Sequence, residues 1–241
     1  MSSIFNKKYV STTYKDKKND YPTKFCKHII KECGIKKGSK ILDIGCGDGA
    51  FSEAFKNLGM EVYGVDFSES AKDKLGKNLK KHNLLRSPYP FKAKSFDFVF
   101  SKSVVEHLRE PDVLVDEAYR MLKSGGTFIC LTPSWKHSCK EAFYIDHTHV
   151  TPFTKHSLEV ICELSGFDST CDYLYQLPLL WRYSILNVCR FALNLLSLPY
   201  RPFYKIGWSD KINKTIRFSK EAMLFCKAYK NDSSNTSKGR E

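Results

Sequence analysis

The stretch that most constrains this chain is Lys40-Ile-Leu-Asp-Ile-Gly-Cys-Gly-Asp-Gly-Ala50, followed by Val62-Tyr-Gly-Val-Asp66. An apolar run enters a glycine-rich turn, a helix-like segment follows, and a second apolar run ends in an acid. That order is the sequence form of a β-α-β unit holding an adenine nucleoside at the carboxyl ends of parallel strands. Gly45 and Gly47 let the backbone turn sharply and approach a ligand with no Cβ in the way. Asp66 lies 21 positions after Gly45, where the next strand should end. A carboxylate there can accept hydrogen bonds from both ribose hydroxyls. Two readings fit the glycines. Gly45-x-Gly47-x-x-Ala50 is the dinucleotide fingerprint in its Ala-terminated form. Asp43-x-Gly45-x-Gly47-x-Gly49 instead places an acid inside the strand, which suits a ligand bearing an ammonium group better than a pyrophosphate.

A length of 241 residues and a hydrophobic content of 42% allow one α/β domain with an appendage or tails. The nine cysteines are odd in number and include no Cys-x-x-Cys pair, so they read as reduced thiols rather than a disulfide frame or a zinc site. No metal-ligand set is expected from their spacing. The polar, lysine-rich N-terminus lacks the apolar segment of a secretory signal, and a cytoplasmic location is expected. The net charge of +13 is uneven: residues 1–40 carry +8, residues 178–241 carry +8, and the middle carries −3. Basic flanks of this kind either meet phosphates, on a nucleic acid or an anionic membrane surface, or form a solvated lysine-rich surface.

Residues 1–21 read as a flexible basic arm, 22–230 as the folded domain and 231–241 as a disordered tail. Helical spacing covers 22–33, with Pro22 suited to a first turn and Gly34 to the stop. Strands are expected at 40–45, 61–65, 95–101 and 127–132, the last entered by a turn at Gly125-Gly126. Helices are expected at 49–58, 112–123 and 155–165, and a Ser-capped polar helix at 68–82. Segments 169–176 and 221–229 form a closing antiparallel pair. The alternation argues for a doubly wound, mostly parallel seven-stranded α/β sheet of Rossmann-like type with an antiparallel final strand.

Beyond the first two strands, three segments resemble class I S-adenosylmethionine-dependent methyltransferases of the broad small-molecule type. They are Ser95-Phe-Asp-Phe-Val-Phe-Ser-Lys-Ser-Val-Val-Glu-His-Leu108, Met121-Leu-Lys-Ser-Gly-Gly-Thr-Phe-Ile-Cys130, and Asp146-His-Thr-His-Val-Thr-Pro-Phe-Thr154 with Ser165-Gly-Phe167 after it. The match runs from about residue 22 to 176 in consistent order. The resemblance implies S-adenosylmethionine as cofactor. It puts Asp43, Gly45, Cys46 and Gly47 at the methionine end, Asp66 on the ribose, Phe67 over one adenine face and Ser101 under the methionine tail. Where the family usually has an acid bonding the adenine amino group, this chain offers Asn83, whose side-chain oxygen can accept but carries no charge.

Transfer of a methyl group from a sulfonium is an in-line displacement, so the enzyme mainly aligns the nucleophile and excludes water. A neutral hydroxyl gains from a general base, and histidine suits neutral pH. His149, in the Asp-x-Thr-His-Val pattern, is the first candidate; Asp146 would orient it or meet the substrate, and His107 is the second candidate base. His147 reads as incidental. No Asn/Asp-Pro-Pro-aromatic motif and no Pro-Cys pair is present, which sets aside the amino-group and cytosine-C5 methylases of nucleic-acid bases. Thr132-Pro-Ser-Trp135 reads as a pocket wall, with Trp135 a stacking surface or a core aromatic.

An apolar, aromatic insertion is expected at 177–216. Within Leu177–Pro199, Asn187, Arg190, Asn194 and Ser197 form one narrow polar stripe if the segment is helical. Twenty helical residues span about 30 Å. The two arginines and two asparagines oppose crossing a bilayer, since each mid-bilayer charge costs roughly 2.5–3.5 kcal/mol. Lying in the membrane interface fits better, with Trp181, Tyr200, Phe203, Tyr204 and Trp208 interleaved with Arg201, Lys205, Lys211 and Lys214. A helix packed over the site or in a dimer is the other reading. The expectation is O-methylation of a small or lipid-linked acceptor, glycan or quinone-like, peripheral to a membrane. An RNA methyltransferase and a non-catalytic cofactor-binding subunit are the rivals.

Overall fold

The structure, a computed structural model, describes residues 20–138, 141–144, 146–175 and 220–231. Helix α1 (Tyr21–Glu32) precedes strand β1 (Lys40–Ile44), helix α2 (Ala50–Asn57) and strand β2 (Glu61–Asp66). A single turn of helix, α3 (Lys72–Leu75), leads to strand β3 (Leu79–Lys81). Strand β4 (Phe96–Lys102), a 3-10 turn at Val105–His107, helix α4 (Asp112–Met121) and strand β5 (Leu122–Pro133) follow. Two short helices, α5 (Trp135–Ser138) and α6 (Glu141–Tyr144), then α7 (Lys155–Leu164), β6 (Asp168–Tyr175) and β7 (Ala222–Tyr229) complete the described chain.

The seven strands run in the order β3-β2-β1-β4-β5-β7-β6. Strands β1 to β5 pair in parallel, while β7 is antiparallel to both β5 and β6. The strand order reverses between β1 and β4, so a crevice opens at their carboxyl ends, the place where doubly wound sheets bind ligands. Both faces of the sheet are covered, and successive side chains of a strand feed alternate cores. Ile41, Phe100, Ile129 and Leu131 join Phe25, Ile29 and Phe55 on one face. Leu42, Ile44, Val99, Phe128 and Cys130 join Leu114, Ala118 and Leu158 on the other.

Two expectations need correcting. Residues 68–82 do not form one helix. The Ala71 cap makes no side-chain hydrogen bond, and Gly76, at φ 56°, stops α3 after one turn. The Leu-Lys-Lys of β3 then extends alongside β2. Strand β5 also begins earlier than residue 127. Leu122 pairs with Phe96 and Thr127 with Phe98, so the extra residues bulge through Gly125, at φ 72°. The expected arm before residue 20, insertion 177–216 and tail after residue 231 lie outside the described residues.

Candidate active site

The first functional edge is the turn after β1. Gly45, Gly47 and Gly49 all have positive φ, and the turn closes through the Gly45 amide donating to the Val65 carbonyl (2.7 Å) and the Gly49 amide to the Cys46 carbonyl (2.8 Å). Gly45 and Gly47 differ in what surrounds them. A Cβ on Gly45 would run into the side chain of Val104, whereas one on Gly47 would meet no atom within 4 Å. Gly45 is therefore required by packing and Gly47 opens onto free space. Cys46 is buried and its side chain packs against Gly64.

Asp66, at the end of β2, accepts from the Gly47 amide (2.9 Å) and the Ser68 amide (2.7 Å). These bonds fix the carboxylate beside the glycine turn. Phe67 is exposed at the rim. The His82 amide donates to the Asp66 carbonyl (2.8 Å), which brings Asn83 alongside the same strand end. Asn83 spends one lone pair on the Leu85 amide (3.1 Å), an Asx turn. Asp43 is buried and accepts from the Ser52 hydroxyl of α2 (2.5 Å). Burial pushes its pKa up to about 7; the Ser52 hydrogen bond opposes this, and Asp66 and Asp48 add to it. At the end of β4, Ser101 is buried and its hydroxyl has no hydrogen-bond partner among the described residues.

The second edge lies past the ends of β4 and β5. The Glu106 carbonyl accepts from the Val150 amide (2.8 Å) and the Thr151 amide (3.1 Å), pinning the 146–151 loop to the 3-10 turn after β4. A capping box between Thr154 and Ser157 starts α7 immediately afterwards. These constraints bring His107 and His149 together, their ring centroids 4.7 Å apart. His149 Nδ1 lies 2.7 Å from the Phe143 carbonyl, which can only accept, so Nδ1 carries the proton and neutral His149 presents a lone pair at Nε2. The Phe143 carbonyl, not Asp146, thus orients this ring. Asp146 Oδ2 stands 3.9 Å from Nε2, outside hydrogen-bond reach.

Asp146 orients His107 instead. Its Oδ1 accepts from the Thr148 hydroxyl (2.5 Å), whose oxygen then accepts from His107 Nδ1 (2.8 Å). That tautomer leaves His107 Nε2 unprotonated. Burial, then the neighbouring His149, holds the His107 pKa below its ordinary value. His147 is exposed and takes no part. Trp135 stacks edge-on to Phe143, centroids 5.4 Å apart, as part of the wall.

Sequence reasoning missed Glu106. It is fully buried; Oε2 accepts from Thr132 (2.9 Å), while Oε1 has no hydrogen-bond partner among the described residues and lies 4.0 Å from His149 Nε2. Burial raises its pKa to about 7. One signal was present: an acid inside the otherwise apolar Val104-Val105-x-x-Leu108. Lys102 was missed as well. Its ammonium sits over Phe51 (5.1 Å) and Phe25 (5.9 Å), and burial lowers its pKa.

Fold and glycine edge define a doubly wound α/β protein with a glycine-lined strand end, and comparison with known proteins specifies its family. A methyltransferase-domain family model matches residues 18–171, more than half of the chain. The chain belongs to that family and is a class I S-adenosylmethionine-dependent methyltransferase. A ubiquinone biosynthesis O-methyltransferase of Pelagibacter ubique is 37% identical over 117 residues, 44% of this chain and 49% of that protein. A demethylmenaquinone methyltransferase of Staphylococcus aureus is 36% identical over 118 residues, 45% of this chain and 48% of that protein. The chain thus spans about half the length of these curated relatives. A solved S-adenosylmethionine-dependent methyltransferase from Archaeoglobus fulgidus shares the fold with a TM-score of 0.59 at 22% identity, covering 94% of this chain and all of its own. The first edge fits the family's cofactor: open space at Gly47, a Ser101 hydroxyl with no hydrogen-bond partner among the described residues, and a fixed Asp66 carboxylate lie at the ends of neighbouring strands.

Proposed function

We propose that the chain O-methylates a small or lipid-linked acceptor, with a quinone-like or glycan head group, working peripherally on a membrane surface from the cytoplasmic side. When bound, S-adenosylmethionine supplies an already activated methyl group. Asp66 holds the ribose hydroxyls, Asp43, Gly45, Gly47 and the Cys46 backbone line the methionine end, and Ser101 donates under the tail. Phe67 covers the adenine, and the second lone pair of Asn83 accepts from its amino group. The acceptor hydroxyl rests against the paired histidines, where His149 Nε2 takes its proton and His107, steadied by Thr148 and Asp146, flanks it. One observation carries this reading: His149 Nδ1 lies 2.7 Å from the Phe143 carbonyl, which orients the ring and, in its neutral form, leaves the lone pair on Nε2. The names of the two quinone-pathway relatives and the apolar sequence at 177–216 support the acceptor class.

The test is radiolabelled methyl transfer to demethylated quinols, polyprenyl-linked sugars and RNA, comparing the wild type with His149→Ala. A positioned base contributes typically 10²–10⁴-fold, so turnover should fall by about that much while cofactor affinity stays within about twofold. Unchanged turnover in the variant would remove the base assignment. Transfer to RNA alone, with affinity falling steeply with salt, would replace the acceptor class.

A further inference from the structure

We propose that Glu106, His107 and His149 form a binding site for a first-row divalent transition-metal ion. One ligand atom from each lies within 4.8 Å of the others. The tautomers argued above leave both Nε2 lone pairs available. Each ring is held through its other nitrogen, His149 by the Phe143 carbonyl and His107 by the Thr148–Asp146 chain. Metal-ligating histidines are usually oriented this way, through a carbonyl, hydroxyl or carboxylate on the far nitrogen.

The unpartnered Oε1 of Glu106 points to the same ligand. A buried acceptor with no donor is destabilising, and more so when charged. Lys102, over two phenyl rings, attracts Glu106 electrostatically but makes no ion pair with it among the described residues, so Oε1 still lacks a donor. The 4.0 Å gap between Oε1 and His149 Nε2 is too wide for a hydrogen bond. It matches the span of two ligands on one ion, which is at most about 4.2 Å for bonds of about 2.1 Å. Closing the widest separation requires only about half an ångström of side-chain movement. Asp146 Oδ2, 3.9 Å from the same nitrogen, supplies countercharge or a fourth ligand.

Two imidazoles and one carboxylate select the ion's class. Magnesium and calcium favour all-oxygen shells, whereas manganese, iron, cobalt, nickel and zinc accept mixed nitrogen and oxygen sets. This inference rests on the proposed function only for its catalytic consequence. In the loaded protein His149 is a ligand, and the ion lowers the pKa of a coordinated acceptor hydroxyl, whose proton passes to bulk water. In the metal-free protein the same nitrogen is the base.

The experiment is calorimetric titration of chelator-treated, full-length protein with Mn²⁺ and Zn²⁺, alongside Glu106→Gln, His107→Gln, His149→Gln and a His156→Gln control. Pulsed electron paramagnetic resonance of the Mn²⁺-loaded wild type reads histidine nitrogens directly and does not depend on a variant folding. One equivalent should bind, with nitrogen couplings in the spectrum, and affinity should fall at least tenfold in each site variant but not in the control. Absence of stoichiometric binding, absence of nitrogen couplings, or affinity indifferent to the three substitutions would overturn the site. Cofactor binding and methyl transfer by the chelator-treated protein separate the two conclusions. Turnover without metal binding sinks only the metal site, and metal binding without cofactor binding sinks only the methyltransferase reading of the crevice.

Discussion

Asp43 is a buried carboxyl that, on the proposed placement of the cofactor, couples binding to pH. Its folded pKa, pushed up to about 7, lies above the unfolded value of about 3.9. The folded state therefore holds a proton that the unfolded state has lost. The stability this contributes is fully present below about pH 4 and is lost as pH rises through about 7. Three pKa units correspond to about 4 kcal/mol, so urea unfolding of the wild type should weaken on that order between pH 4 and pH 8 relative to Asp43→Asn. A parallel pH dependence in both proteins would show that Asp43 is not the group responsible. An ammonium bound beside Asp43 favours its ionised form, so S-adenosylmethionine should release protons near pH 6.5, seen as a binding enthalpy that varies with buffer ionisation heat. At this scale the positions of Asp43 and Asp66 beside the glycine turn were legible because they sit at fixed offsets from the glycines. Glu106 was not, because its environment comes from Thr132 and His149, distant in sequence, and only packing brings them to it.

Elements with strong periodicity were readable, and those made by pairing alone were not. β4 and β5 announce themselves as apolar runs. β3 is Leu-Lys-Lys at a sheet edge; nothing in three such residues favours a strand until β2 offers its free backbone. The loop between β3 and β4 is likewise organised from outside itself. Glu117, buried on α4, accepts from Ser87 (2.5 Å), the Tyr89 amide (2.9 Å) and Arg120, while Arg120 donates to the Tyr89 and Phe91 carbonyls (3.1 Å each). Burial alone would raise the Glu117 pKa, but Arg120 and the other donors outweigh it and hold it below its ordinary value. Removing one partner of such a network strands the others, at about 3 kcal/mol. Glu117→Ala should lose about that much in chemical denaturation, and Glu117→Gln less. A loss in Glu117→Ala below about 0.5 kcal/mol would mean that apolar packing alone holds the loop.

The proposed division of tasks sets a cofactor edge built from local sequence against an acceptor edge assembled from long-range contacts. The glycine turn and its contact with Asp66 were recognisable because the positive-φ glycines and the acid at the end of β2 lie at fixed local spacing. The histidine pair required the 146–151 loop to dock on the end of β4, which no local pattern encodes. The expected membrane segment has a favourable place in this topology. Strands β6 and β7 are antiparallel neighbours, and Tyr175 pairs with Ala222, so the chain leaves the sheet and returns to it at one paired end. Replacing residues 177–216 by a short turn therefore preserves the register that closes the sheet. If Trp181, Trp208 and the interleaved lysines and arginines lie at an anionic interface, full-length protein should float with phosphatidylserine vesicles, and less so at high salt. The shortened protein should stay at the bottom of the gradient, and its thermal transition and cofactor affinity, measured beside flotation, separate a lost membrane contact from a lost fold. Equal flotation of both proteins would end the membrane role for this segment and leave it as a cover for the acceptor crevice or a contact between copies.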